Sequence, residues 1–95
     1  MHVISMKQLS KFWQRYPDAE IPLRAWYKVA SKAKWKTIED VHRTYPQADF
    51  AGPDHTVFNI RGGNYRLVVK IEYAFALIYV EHVLTHTEYD KDKWK

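Results

Sequence analysis

The sequence predicts an α+β domain: a small, mostly antiparallel sheet with a pair of N-terminal helices packed on one face and a short C-terminal helix. Three observations predict this class. Two apolar stripes with helical spacing lie before residue 31, strand-like patterns occur between residues 56 and 84, and a helix-start signal follows at residue 85. Apolar residues every three or four positions indicate one face of a helix, whereas strict alternation indicates a strand.

Length and composition limit the kind of protein. The 95 residues suffice for one modest core, and we assign residues 1–95 to a single domain. The lack of cysteine excludes a disulfide framework, a thiolate nucleophile and a cysteine-ligated zinc site. No apolar run reaches the ~18 residues of a membrane span, and no signal peptide is visible. We therefore expect a soluble, cytoplasmic protein with no membrane partner, and no cofactor or metal is indicated.

The first two helices are predicted by their caps and their apolar stripes. The first begins at Ser5, with Gln8 at the spacing of a capping box, and ends at Pro17. The second takes Asp18 as its cap and has Pro22 in its first turn, where a missing N–H costs little. The two stripes, which should face a common sheet, are Leu9, Phe12, Trp13 and Tyr16, and then Leu23, Trp26, Tyr27 and Ala30.

The remaining scaffold is predicted from shorter signals. Residues 2–4 form an apolar run that predicts a first strand. Thr37 begins a short third helix that extends to Arg43, and residues 45–55 are interpreted as an irregular connection because they contain proline and glycine.

Three further strands follow. Residues 56–61 and 65–73 alternate between apolar and polar side chains, and Gly62-Gly63 between them is interpreted as a tight hairpin turn. Residues 76–84 are apolar on both faces over most of their length, which predicts a central strand. His82 on that strand is interpreted as a hydrogen-bonded core histidine.

The polar face of this hairpin carries the first group of candidate site residues. Arg66 has a planar fork that matches phosphate oxygens, although a solvated surface arginine is the alternative. Lys70 lies about 13 Å along the same strand face and could hold a neighbouring phosphate. Asn59 and Arg61 lie on the paired strand, within reach of the same ligand. Asn64 follows the glycines and is interpreted first as a turn residue, since asparagine tolerates left-handed conformations.

A short helix after the last strand carries the second group. Thr85 and Glu88 have the spacing of a capping box, which predicts the helix start. The positions that form the apolar stripe in the other helices are polar in this one, and they hold His86, Tyr89, Asp90 and Lys93. A polar stripe in this position indicates that the helix faces a ligand and not the core. Histidine suits proton transfer near neutral pH, although a lone histidine at a helix start is more often only solvated.

These groups, together with the N-terminal strand, resemble a known family. The motifs that carry the resemblance are Met1-His2-Val3-Ile4, Phe58-Asn59-Ile60-x-Gly62-Gly63-Asn64-x-Arg66-Leu67, Tyr79-Val80 and Thr85-His86-x-Glu88-Tyr89-Asp90-Lys91. From residue 1 to about residue 93, the chain resembles the HigB toxins of the RelE-like superfamily of type II toxin–antitoxin systems. The resemblance implies a RelE-like compact domain. It also implies an endoribonuclease that cleaves mRNA, in some members on the ribosome, and so inhibits translation and growth.

The resemblance also implies partners and residue roles. The partners are mRNA and a cognate helix-turn-helix antitoxin similar to HigA, with DNA contacted only through the antitoxin. Metal-free RNA cleavage requires a base for the 2′-hydroxyl, a cation for the phosphate and an acid for the leaving oxygen. Arg66 is assigned to the phosphate, and His86 and Tyr89 to proton transfer, with acid and base undecided between them. The residues expected to bind RNA are Asn59, Arg61, Asn64, Lys70, Asp90 and Lys93.

Other functions remain open at this point. The 15 Lys and Arg against 11 Asp and Glu give a net charge of +4, which indicates a polyanionic partner only where the charges cluster. One cluster, with Trp35 interleaved, is Arg24, Lys28, Lys32, Lys34 and Lys36. It is either a contact for ribosomal RNA or, more commonly, a solvated helix face. The alternatives to a ribonuclease are a non-catalytic RNA-binding module and a toxin-fold protein that has lost activity and acts as a regulator.

Overall fold

The computed structural model describes residues 1–94, within which five strands form one sheet in the order β1-β5-β4-β3-β2. The strands are β1 (His2–Ile4), β2 (Asp49–Ala51), β3 (His55–Ile60), β4 (Tyr65–Glu72) and β5 (Leu77–Thr85). The helices are α1 (Met6–Arg15), α2 (Glu20–Lys32), α3 (Ile38–Thr44) and α4 (His86–Asp90), with single 3-10 turns at Pro17–Ala19 and Tyr73–Phe75. Only the β1–β5 pair is parallel among these strands. The predicted α+β class is confirmed.

The core lies between one face of the sheet and the helices α1 and α2. The predicted apolar stripes supply it, since Leu9, Leu23 and Ala30 are fully buried. Trp26 reaches across the layers to the sheet, with its ring centroid 5.5 Å from that of Phe58. Leu67, Val69 and Ile78 on the facing side of β4 and β5 are also fully buried. This face of the sheet is therefore closed by the helices, which leaves the opposite face for other roles.

The starts of the first two helices differ from the prediction. Ser5 is the N-cap of α1, but its side chain makes no capping hydrogen bond, so the predicted capping box is not formed. Helix α2 begins at Glu20, and Asp18 lies before it in a 3-10 turn instead of acting as its cap. The reason is a tertiary contact, because the Asp18 carboxylate accepts a 2.5 Å hydrogen bond from the Tyr65 hydroxyl. Its second oxygen lies 3.4 Å from a guanidinium nitrogen of Arg61.

The turn between β3 and β4 also differs from the prediction. Ile60 pairs with Tyr65, so the loop has four residues, 61–64, and not the two glycines alone. Arg61, Gly62 and Gly63 have φ values of 53°, 63° and 95°, which is why glycine is needed at two of these positions. Because Arg61 has left the strand and pairs with Asp18 beside the helices, the prediction that it shares the polar strand face with Arg66 is wrong.

Two strand assignments need correction. The connection over residues 45–55 contains β2, which pairs antiparallel with β3 and has only three residues, too few to show alternation. Strand β5 is internal, but β4 occupies the centre of the sheet. A register shift between Val68 and Val69 marks a bulge in the β4–β5 pairing.

The second face of the sheet is covered at one end by α4 and the turn that follows it. Val68 and Val57 on this face are almost completely buried although they lie opposite the main core. Trp94 reaches over them, since its ring lies 5.8 Å from that of His55 on β3 and 6.3 Å from that of His82 on β5. His82 is half-buried at this contact and not in the core proper.

We expect the bond between Tyr65 and Asp18 to stabilise the fold in a pH-dependent way. Donation of this bond raises the pKa of Tyr65 above its ordinary value of about 10. A group with a raised pKa contributes stability below its unfolded pKa and loses it as the pH rises through the folded pKa. Urea unfolding should therefore show that wild type is more stable than Tyr65→Phe at neutral pH, with the difference shrinking above pH ~10.

The matched control for this measurement is Tyr79→Phe, which removes a hydroxyl from the other face of the sheet. A stability difference between wild type and Tyr65→Phe that stays constant across this pH range would show that the bond contributes nothing.

Candidate functional site

The start of α4 is fastened to the hairpin turn. The backbone N–H of His86 donates a 3.0 Å hydrogen bond to the carbonyl of Asn64. The predicted capping box is confirmed: the Thr85 hydroxyl accepts from the backbone of Glu88, and the Glu88 carboxylate accepts from the backbone of Thr85. Because Thr85 also pairs with Tyr65, the first turn of α4 has a defined position beside the base of the hairpin.

The guanidinium of Arg66 is held in place from two directions. One of its terminal nitrogens donates to the carbonyl of Gly63 in the turn. Its central carbon lies 5.4 Å from the ring centroid of Tyr89 on α4, which is cation–π distance. Among residues 1–94, Gly63 supplies the only acceptor that the guanidinium contacts. Most of its five N–H donors therefore remain for an anion that approaches this face.

His86 forms a pair with Asp90 one turn further along α4. The Nδ1 atom of His86 lies 3.1 Å from a carboxylate oxygen of Asp90, and both side chains are more than half exposed. A carboxylate on Nδ1 favours the tautomer with the proton there, which leaves Nε2 as the basic nitrogen. His86 lies two residues beyond Leu84, the cross-strand neighbour of Arg66.

Tyr89 links the strand to the C-terminal turn. It contacts Arg66 through its ring and stacks on Trp94 with a centroid separation of 5.1 Å and an interplanar angle of 16°. The Trp94 indole N–H donates a 3.0 Å hydrogen bond to the Tyr89 carbonyl, which fixes the orientation of the indole. Of the three residues predicted to be catalytic, Arg66 and Tyr89 are thus in direct contact, and His86 lies at the start of the helix that carries Tyr89.

The residues predicted to bind RNA are only partly brought together. Asn59 is exposed and lies directly opposite Arg66 in the β3–β4 ladder. Lys70 lies on the same face of β4 but four residues away, with its nitrogen 3.9 Å from a carboxylate oxygen of Glu72. Asn64 is exposed in the turn and uses its backbone carbonyl to hold α4.

The structure changes the position expected for Lys93 and the role expected for Asp90. Helix α4 ends at Asp90, so Lys93 lies in the following turn and not on the helix face. Asp90 uses its carboxylate to hold His86, which favours an orienting role over direct contact with a polyanion.

Sequence reasoning missed Gly63 and Trp94 as site residues. A Cβ atom on Gly63 would lie 3.1 Å from a guanidinium nitrogen of Arg66, which is closer than ordinary contact, so the guanidinium would have to shift by a few tenths of an ångström. The sequence signal for Trp94 was an aromatic residue that closely follows Lys91 and Lys93, since basic and aromatic residues occur together in nucleic-acid sites.

The basic cluster predicted around Trp35 does not present that tryptophan at the surface. Trp35 is buried, stacks on Phe58 at 6.0 Å, and donates its indole N–H to Thr44. It is therefore part of the core and is not available at the surface beside the lysines. Arg24 is engaged with Glu20 and lies over the Trp13 ring. The exposed lysines of this cluster are Lys28, Lys32, Lys34 and Lys36.

Comparison with known proteins identifies the family. Residues 19–92 match the sequence model of HigB toxin, described as the RelE-like toxic component of a toxin–antitoxin system. The chain is 33% identical over 92 residues to an Escherichia coli K12 protein named mRNA interferase toxin HigB, covering 95% of this chain and 88% of the relative. The chain belongs to the HigB toxin family. A Shigella flexneri relative named mRNA interferase HigB shows the same identity and coverage, and one from Escherichia coli O6:H1 is 27% identical over 93 residues.

Membership of the HigB toxin family confirms the resemblance that the hairpin and the C-terminal motif indicated. The chain is the toxin component of a toxin–antitoxin pair, and an antitoxin is its partner. Within the described residues of this HigB-family toxin, no helix is long and apolar enough to cross a membrane.

We expect Gly63→Ala to impair the toxin more than Gly62→Ala does. Both glycines have positive φ, so both variants incur backbone strain of roughly 1–2 kcal/mol or more, and the strain is greater at residue 63, whose φ of 95° lies outside the left-handed region. Only the Cβ at residue 63 would displace Arg66, because a Cβ at residue 62 meets no atom within 4 Å. Growth inhibition after induced expression, with the melting temperature of each purified protein, measures the difference. Equal toxicity of the two variants would show that the position of Arg66 is unimportant.

Proposed function

We propose that this chain is an endoribonuclease that cleaves mRNA without a metal ion and so inhibits translation. The observation that carries this proposal is the guanidinium of Arg66, which is held by Gly63 and by Tyr89, and Tyr89 lies three residues beyond His86 on the same helix. A held cation and a histidine that is oriented by a carboxylate are suited to phosphoryl chemistry. The names of the relatives, mRNA interferases, support the same substrate.

The reaction that fits these groups is an internal transesterification. The 2′-hydroxyl of one nucleotide loses its proton and its oxygen forms a bond to the adjacent phosphorus. The bond from phosphorus to the 5′-oxygen of the next nucleotide breaks, and that oxygen gains a proton. The products are a 2′,3′-cyclic phosphate and a 5′-hydroxyl end. Three groups are needed: a base, a charge stabiliser and an acid.

We assign these roles as follows. His86 removes the 2′-hydroxyl proton through Nε2, since Asp90 occupies Nδ1. Arg66 stabilises the extra negative charge on the phosphate, because its planar donors match two phosphate oxygens. Tyr89 positions Arg66 through its ring and is the second group of α4 assigned to proton transfer.

We propose the finer identity of the partners on the same basis. The RNA is mRNA, cleaved in the cytoplasm and in some settings on the ribosome. The antitoxin is a helix-turn-helix protein similar to HigA, and any contact with DNA is made through it. Lys28 and Lys32 are exposed on α2, which packs on the sheet face opposite to Arg66, so they are available to a large RNA partner while the site is engaged.

Induced expression of wild type and His86→Ala in bacteria tests this function. Wild type should arrest growth and produce new mRNA 5′ ends, and His86→Ala should lose both, since removing a general base costs about 10²–10⁴ in rate. His2→Ala is the control, because it removes an exposed histidine on the edge strand β1. Cleavage of a free single-stranded RNA by the purified wild type should persist in the presence of EDTA.

The opposite results are equally clear. New 5′ ends that remain in folded His86→Ala would remove this residue from the mechanism. Absence of new ends and of growth arrest in the wild type would contradict the ribonuclease and favour an RNA-binding or inactive toxin-fold protein.

A further inference from the structure

A groove runs beside α4 on the face of the sheet that the helices α1 and α2 leave open. Its volume is about 410 Å³, and its lining residues are His82, Leu84, Glu88, Lys91, Lys93 and Trp94. This volume falls within the range of ~300–1,000 Å³ that is usual for small-molecule sites. The groove shares Trp94 with the stack that leads through Tyr89 to Arg66, so it continues the candidate site towards the C-terminus.

The indole of Trp94 is placed in the groove by several contacts. It stacks on Tyr89, donates a hydrogen bond to the Tyr89 carbonyl, and lies at interplanar angles of 73° and 63° to the rings of His55 and His82. Its orientation is therefore set before any ligand binds. The other three tryptophans, Trp13, Trp26 and Trp35, are buried in the core, whereas Trp94 is only partly buried. One face of the indole stacks on Tyr89, and because the ring lines the groove and is only partly buried, a nucleobase in the groove could contact it.

The charges at the groove complement this aromatic plane. Lys91 and Lys93 are exposed on its rim, while the Glu88 carboxylate is occupied by the backbone of Thr85. Two cations beside one aromatic ring fit the two parts of a nucleotide, the phosphate and the base.

We propose that this groove is a nucleotide subsite in which one base of single-stranded RNA stacks on Trp94 while Lys91 and Lys93 hold its phosphate. The nucleotide belongs to the same strand as the phosphate that Arg66 contacts. The proposal rests on the proposed function for the identity of the ligand as RNA. It assigns Trp94 to substrate binding and not to the chemical step.

The test uses the full chain and a short single-stranded RNA carrying 2′-O-methyl groups, which binds but cannot be cleaved. Binding should quench tryptophan fluorescence, and this change should be absent in Trp94→Phe because the remaining tryptophans are buried. Trp94→Ala should bind roughly 5- to 100-fold more weakly, as loss of one stacked base predicts. Trp94→Phe retains an aromatic plane and should stay within a few-fold of wild type, which keeps the test valid if the alanine variant unfolds.

The lysines are tested through the salt dependence of binding. Replacing Lys91 and Lys93 by alanine should reduce the slope of log affinity against log salt by about 0.7, the contribution of one phosphate on a single strand. The matched control removes the same charge from α1 as Lys7→Ala with Lys11→Ala, both exposed on the helix layer. A purely structural role of the C-terminal turn would leave this slope unchanged.

The outcomes separate this proposal from the proposed function. If wild type cleaves mRNA but the Trp94 and lysine variants bind and cleave as wild type does, the subsite is wrong and the ribonuclease stands. If wild type cleaves nothing yet the RNA quenches Trp94, the subsite stands without the catalytic function. If neither cleavage nor quenching occurs, both are overturned.

Discussion

The placement of the functional side chains depends on the turn at residues 61–64. Its backbone carbonyls make two different attachments, since Gly63 binds the guanidinium of Arg66 and Asn64 binds the first N–H of α4. The positive φ at three consecutive positions aims these carbonyls, and a shorter turn would not leave both available. The strand cation and the helix that carries His86 and Tyr89 are therefore positioned by one loop.

The central strand β4 explains why a chain of this size can hold both a core and a site. Successive side chains on a strand point to opposite faces. Leu67 and Val69 enter the core under the helices, and Arg66 and Lys70 point to the other face. A slip of one residue would exchange the two sets, so burial of the core also determines where Arg66 lies. The Tyr65–Asp18 bond secures the same register from the helix side.

Most helices and strands with local signals were predicted correctly, with the Ser5 capping box and the length of the turn at residues 61–64 as exceptions, and features that depend on distant contacts were not predicted. The capping box at Thr85 needs only nearby residues, and it is present. Asp18 has the residue type of a cap but is taken by a tyrosine 47 positions away. Trp35 stands between two lysines in the chain, yet it packs into the core. Arg61 and Trp94 show the same limit. The turn takes Arg61 off the strand face and places it beside Asp18, and the C-terminal turn brings Trp94 against Tyr89.

The central claim is that a positioned guanidinium at residue 66 performs the charge stabilisation. The most direct measurement is the kcat of purified Arg66→Lys for mRNA cleavage, with ribosomes present, alongside its melting temperature. Lysine keeps the charge but lacks the planar fork that holds the Gly63 carbonyl and two phosphate oxygens together. We predict that kcat falls by about 10²–10³ with an unchanged melting temperature. A kcat equal to that of the wild type would contradict the account.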